Sequence, residues 1–170
     1  MKLGAIDCGR HNTFLVIIDT DSVSKPLLIL CESFSIENIQ YGTISKMLNR
    51  LKRHLIKCDV LIIEQQLQAI EGKSNYNMLV NNAVGNAILG MAVGLNLYIK
   101  YSNPKERHSI ALDILGLPVK KYTYQQIKQH SIDVLKLHYR DKSLKLTSEC
   151  HAFIRMQAKI DDISDCYCMI

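Results

Sequence analysis

The 170-residue sequence predicts an α/β domain: a five-stranded mixed sheet, its first three strands antiparallel, flanked by helices. Three observations lead there. Three short runs rich in apolar and β-branched residues follow one another before Glu32, separated only by turn-forming segments. Beyond them, helix-spaced apolar patterns alternate with two further short apolar runs. No internal repeat, low-complexity tract or Pro/Gly-rich linker interrupts the series, and the length suits one well-buried domain spanning residues 1–170.

Leu3-Gly4-Ala5-Ile6-Asp7 is the first run, ending in a carboxylate. A turn at Gly9-Arg10-His11-Asn12 leads into Thr13-Phe14-Leu15-Val16-Ile17-Ile18-Asp19, and the two runs read as a hairpin. A second turn, closing at Pro26, leads to a third strand over residues 27–31. Helical spacing then covers residues 39–56: Ile44, Met47, Leu48, Leu51 and Leu55 share a face, with Lys46, Arg50, Lys52 and Arg53 elsewhere. Asp59-Val60-Leu61-Ile62-Ile63-Glu64 is again a short apolar run ending in an acid. A helix precedes it, so it is expected to pair in parallel with the first strand.

Residues 75–95 form a long helix in which Ala83, Ala87, Gly90 and Gly94 make a shallow ridge, suited to close packing on the sheet or on a second copy. Asn86 and Asn96 interrupt its apolar run, which is too short to span a bilayer. Leu97-Tyr98-Ile99-Lys100-Tyr101 is the fifth strand, and Asn103-Pro104 is a helix start because proline fits the first turn. Helices are expected over residues 105–115 and 124–139 and from Lys159 to the end; residues 144–154 carry no decisive pattern.

Charge is unevenly spread. The chain carries +5 overall, and residues 100–145 hold ten Lys or Arg against four acids, leaving the remainder nearly neutral. A basic segment on a neutral body fits a polyanion-binding surface better than a membrane or small-molecule site. Of the six cysteines, several lie in apolar runs, where Cys acts as a small hydrophobe. Cys150, His151, Cys166 and Cys168 fit no common zinc spacing, so reduced thiols in a cytosolic setting are expected. No signal peptide precedes the first strand.

The acids carry the chemistry. Asp7 and Glu64 each end an apolar strand, and an acid there is costly unless solvated, paired or metal-bound. Asp161-Asp162-Ile163-Ser164-Asp165 opens the last helix, with Asp162 and Asp165, or Asp161 and Asp165, on one face. Gathered together, such carboxylates would repel and hold protons at neutral pH. Hard divalent cations resolve the conflict, and two of them suit phosphodiester hydrolysis.

These motifs resemble those of the RuvC family of Holliday junction resolvases, within the RNase H-like or integrase-like superfamily. Ile6-Asp7-Cys8-Gly9 is similar to the family's first-strand motif and Ile63-Glu64-Gln65-Gln66 to its second acidic motif. Lys159-Ile160-Asp161-Asp162-Ile163-Ser164-Asp165 resembles its C-terminal signature, in a form nearest the poxvirus and mitochondrial branches. The resemblance implies an RNase H-like fold and a crossover junction endonuclease that acts on branched DNA as a homodimer. Asp7, Glu64, Asp162 and Asp165 would hold two Mg²⁺ per site, with Mn²⁺ as a substitute, and Asp161 would stand beside them. It further implies catalytic lysines, with Lys105 similarly placed to one, and Lys128, in a Lys-x-x-Ser pattern with Ser131, to another; Lys121 is the fallback. Gln65, Gln66, Lys73, Arg107, Lys120, Lys121 and Lys136 are the expected DNA contacts. The family's Arg after the second acid is absent, Gln65 and Gln66 standing in that neighbourhood. With no transit-peptide pattern at its start, the chain is expected to be a viral protein working in the host cytoplasm.

Two rivals share parts of this pattern. A YqgF-like RNA-processing nuclease would keep the sheet and the carboxylates, but the basic helical region and the long ridge helix suit a junction better. An actin-like ATP-binding protein also opens with Asp-x-Gly, yet needs two lobes where this length supplies one. A DNA-binding protein without catalysis would lack one of the acids, and all are present.

Overall fold

A computed structural model describes residues 1–9, 13–21, 25–34, 41–64, 76–156 and 160–170. Among the described residues, six strands, β1 (Lys2–Asp7), β2 (Thr13–Asp19), β3 (Leu27–Phe34), β4 (Val60–Glu64), β5 (Tyr98–Ser102) and β6 (Lys145–Leu146), form one mixed sheet in the order β5-β4-β1-β2-β3-β6. Strands β1, β2 and β3 are successively antiparallel, and β4 lies parallel to β1, as its crossover helix dictates. The sheet is therefore one strand larger than expected. The sixth strand has only two residues, whose bonds run parallel to Leu27 and Leu28 of β3, and two residues leave no readable alternation in sequence.

Each strand sends alternate side chains to opposite faces, and this divides the core in two. On one face Ile6, Leu15, Ile17, Leu61 and Ile63 are covered by α1 (Tyr41–Leu55) and α2 (Tyr76–Gly94). Met47, Leu51 and Leu55 supply the buried stripe of α1, as their spacing requires, and Val80, Val84, Ile88 and Ala92, each four residues apart, supply that of α2. Gly4 packs closely in this layer, where a β-carbon would lie 3.0 Å from the Cys58 sulfur. On the opposite face Ala5, Val16, Ile18 and Ile62 meet Leu135, Cys150, Ile163 and Cys166 from the C-terminal helices α4 (Tyr124–Arg140), α5 (Ser148–Met156) and α6 (Asp161–Tyr167).

The small-residue ridge of α2 is not what faces the sheet. Ala83, Gly90 and Gly94 are exposed, and the space beside the two glycines is open.

Helix α3 (Pro104–Ile114) begins where Asn103 accepts a hydrogen bond from the Lys105 amide at 2.9 Å, with Pro104 in the first turn. It ends in paired bonds from Gly116 N–H to Asp113 and from Leu117 N–H to Leu112, Gly116 taking the left-handed conformation that stops the helix. A reciprocal capping box between Thr123 and Gln126 starts α4. All six cysteines are free thiols, five of them buried, the Cys166 thiol bonding the Phe14 carbonyl at 3.5 Å and so tying α6 to β2. Among the described residues, no helix is long and apolar enough to cross a membrane.

Candidate active site

Side-chain parity builds the site. Asp7 lies two residues beyond Ala5, and Glu64 two beyond Ile62, so both continue the rows that face the C-terminal helices. Because Ile6 pairs with Ile63, the two acids stand side by side at the carboxyl ends of adjacent parallel strands. Helix α6 packs its Ile163 and Cys166 against this face and thereby brings Asp165 over the strand ends.

Burial raises the Asp7 carboxyl to about 8, helped by its hydrogen bond to Glu64 and by the charges of Glu64 and Asp165, while Arg107 pulls the other way. Asp7 is thereby pushed toward its protonated form, with Glu64 as its hydrogen-bond partner at the strand ends. Burial also raises Asp165, against Arg107, Lys128 and a hydrogen bond donated by the buried Ser131. The Lys-x-x-Ser pattern thus acquires a physical meaning: Lys128 and Ser131, one turn apart on α4, address the same carboxylate.

Two cations enter the cluster. Arg107 of α3 sets Nη1 3.2 Å from Glu64 Oε1 and Nη2 3.8 Å from Asp165 Oδ2, with its side chain only 10% exposed. Burial disfavours its charge, but Asp165, Glu64 and Asp7 together outweigh that and hold it raised. Its Nη1 is buried without a hydrogen bond of good geometry. Lys128 Nζ lies 2.6 Å from Asp161 Oδ2, 3.6 Å from Asp165 Oδ2 and 3.9 Å from Asp162 Oδ1, and Asp161 and Asp165 hold its charge against partial burial.

A cleft of about 340 Å³ opens onto this cluster, with Asp7, Glu64, Asp165, Arg107, Lys128 and Lys105 in its walls. Three of the four expected metal ligands line it. Asp162 is placed at the edge, within reach of Lys128 and beside Asp161. Lys105 is exposed on the rim. Lys120 and Lys121 are exposed on the segment between α3 and α4; the Lys120 ammonium lies 5.3 Å from the Tyr122 ring, which packs edge-on against His108 and His130. Lys136 stands elsewhere, beside a separate apolar cavity of about 190 Å³ that also includes Tyr139, His151 and Ile160. Gln65, Gln66 and Lys73 lie outside the described residues.

The depth of Arg107 is what sequence reading missed, having taken it for a surface DNA contact. Its signal was present: Arg107 shares its helix face with the buried Ala111, four residues on, while Lys105 and Asp113 are exposed. His108 and Tyr124 also line the cleft, and no motif pointed to either.

The donors suit a hard divalent cation: carboxylate oxygens only, crowded enough that one retains a proton. In the arrangement described, the Arg107 guanidinium lies between Glu64 and Asp165, and among the described residues no three such side chains surround a common point at binding distance. The residues fit the ion in kind, and the guanidinium now supplies part of the positive charge it would bring.

No protein-family model and no curated protein sequence matches the chain. Solved structures do. The yeast mitochondrial Holliday junction resolvase Ydc2 superposes with a TM-score of 0.70 at 14% identity, over 98% of this chain and 75% of that one. RuvC of Thermus thermophilus, in complex with Holliday junction substrate, superposes with a TM-score of 0.60 at 11% identity, over 99% and 92%. The mixed sheet with its antiparallel first three strands and flanking helices is an RNase H-like fold, structurally similar to that of these resolvases.

Proposed function

We propose that residues 1–170 form one nuclease domain that resolves four-way DNA junctions, a metal-dependent endodeoxyribonuclease of the RuvC type. The observation that carries this reading is the meeting of Asp7, Glu64 and Asp165, from β1, β4 and α6, in one cleft with Arg107 and Lys128, on a resolvase-like fold. Asp7, Glu64, Asp165 and Asp162 would hold two Mg²⁺, or Mn²⁺ in their place, which supply an activated water and neutralise the leaving oxygen. Loading the site requires Asp7 to release its proton and Arg107 to loosen its hold on Glu64 and Asp165. A freed guanidinium is then available to a phosphate, for which its planar fork is suited. Lys128, held against Asp161, presents a second cation, and Lys105 on the rim meets the incoming backbone.

The same reading makes the protein a homodimer. Two copies joined through the open ridge of Ala83, Ala87, Gly90 and Gly94 would set two sites about a two-fold axis, matching the symmetry of paired nicks. Lys120 and Lys121, near the cleft through Tyr122 and His108, extend the contact to phosphates on either side, and Gln65, Gln66, Lys73 and Lys136 complete the proposed DNA contacts. The Lys159-Ile160-Asp161-Asp162 form supports a kinship nearest the poxvirus branch, and the host cytoplasm is the proposed site of action.

The test compares a mobile four-way DNA junction, a linear duplex and a structured RNA, with and without Mg²⁺, for the wild type and Asp7→Asn. Symmetric nicks confined to the junction, dependent on Mg²⁺ and absent in the variant, are expected. Cleavage of the RNA in preference to the junction would replace this reading with an RNA-processing one, and metal-independent cleavage would refute it.

A further inference from the structure

Helix α4 opens on an aromatic side chain placed where a charged cleft meets solvent. Tyr124 follows the Thr123 cap directly, so the reciprocal Thr123–Gln126 box fixes where its backbone sits. Its side chain forms part of the cleft wall, yet Tyr124 is 72% exposed. The Lys128 ammonium, one turn further on, lies 5.7 Å from the ring centroid and is anchored at 2.6 Å to Asp161. A single exposed aromatic needs no explanation on an ordinary surface. This one shares a wall with Lys105, Arg107 and Lys128, the cations that would receive a phosphate, and it leaves most of its ring to the solvent.

A ligand that satisfies both features carries a negative charge and a flat π-face within one residue of each other. A nucleotide does, provided its base is out of the helical stack. In continuous duplex every base is stacked between neighbours, and the ring would meet only the sugar edge. At a branch point the terminal bases of an arm lack a continuous neighbour, and extruding a weakly held base costs little. We infer that Tyr124 is a stacking platform for an unpaired base beside the phosphate held at Lys128, so that it favours branched over continuous DNA. This rests on the nuclease reading above and assigns the cleft rim a role in choosing the substrate.

The experiment uses full-length protein in EDTA, so that DNA is bound and not cut. Wild type, Tyr124→Phe and Tyr124→Leu are each titrated with a four-way junction carrying 2-aminopurine at the branch point, and with a linear duplex of matched sequence. Phe keeps the π-face and Leu keeps apolar bulk without it. The Phe variant should match wild type, with the 2-aminopurine quenched in the complex. Base–aromatic stacking of ordinary strength makes the Leu variant bind the junction about ten-fold more weakly, with a brighter complex, while duplex binding stays within about two-fold. A Leu variant that binds and quenches like wild type, in a protein that prefers junction to duplex, overturns the stacking role alone. Wild-type protein that binds both DNAs equally overturns the junction reading and this inference with it.

Discussion

Replacing Asp7 by Asn should stabilise the metal-free protein at pH 8 and leave it unchanged at pH 4. Burial and the neighbouring carboxylates raise Asp7 from 3.8 to about 8, so between those values the folded chain binds a proton that the unfolded chain has lost. Stability must then fall as pH rises through that window, because the native state binds more protons there. Below it both states are protonated and the group contributes nothing; above it both are ionised and the full penalty applies. A shift of about four units corresponds to about 6 kcal/mol. Water entering an open cleft screens most of that, leaving about 2 kcal/mol. Asn keeps a donor toward Glu64 and carries no charge, so the variant escapes the penalty.

The assay is thermal unfolding of both proteins in EDTA across pH 4 to 8.5, read as the difference between them so that other titrating groups cancel. For a chain of this length about 2 kcal/mol moves the midpoint by about 4–8 °C. The difference should open between pH 5 and 8 in favour of Asn. Added Mg²⁺ at pH 8 should close or reverse it, since only the wild type gains the ligand and ion binding stabilises the folded state by mass action. Curves that stay parallel from pH 4 to 8.5 would refute the crowding of Asp7 against Glu64 and Asp165.

Arg107→Met leaves Asp7, Glu64 and Asp165 without their internal counter-charge; unfolding at pH 8 should show a loss of about 3 kcal/mol, shrinking toward lower pH as the raised carboxyls of Asp7 and Asp165 protonate. If the chain is the proposed nuclease, Asp162→Asn should abolish junction cleavage while leaving junction affinity intact in a gel shift, because a proposed metal ligand is lost and no phosphate contact is. The double change Lys120→Ala, Lys121→Ala should weaken junction binding and flatten its dependence on log salt by about one to two units, roughly 0.9 for each phosphate contact removed. Thr123→Ala removes the capping box of α4 and should cost about 1 kcal/mol in thermal or urea unfolding.

How far the sequence revealed this arrangement depends on what each feature rests on. Strand order and direction followed from local pattern: apolar runs joined by short turns must be antiparallel, and a run reached through a helix must be parallel to an earlier one. The pairing of Asp7 with Glu64 was readable for the same reason, since each ends a strand of this kind. The two-residue β6 was not, because its pairing is set by the chain returning from α4 to β3 and by nothing in its own composition. On α2 the apolar stripe and the small-residue ridge are both legible, but which one the sheet covers is decided by competing burial. Val80, Val84 and Ile88 remove more apolar surface from water than alanine and glycine can, so they take the inner face.

Arg107 shows why charge alone misplaces a residue. In a segment so rich in Lys and Arg, each cation looks like a surface contact, and the relevant information is three-dimensional: Pro104 and Asn103 fix the phase of α3, and that phase turns the position four before Ala111 toward the strand ends. Lysine there would offer one compact charge; the guanidinium bridges two carboxylates from different elements, Glu64 of β4 and Asp165 of α6, and so holds the cluster together without an ion. The acids that make the cleft suited to a divalent cation are thus the same ones that require a built-in cation in its absence. On the proposed reading Arg107 and a divalent cation would compete for Glu64 and Asp165, so the apparent affinity for Mg²⁺ should rise when the guanidinium is removed, even as the metal-free fold weakens.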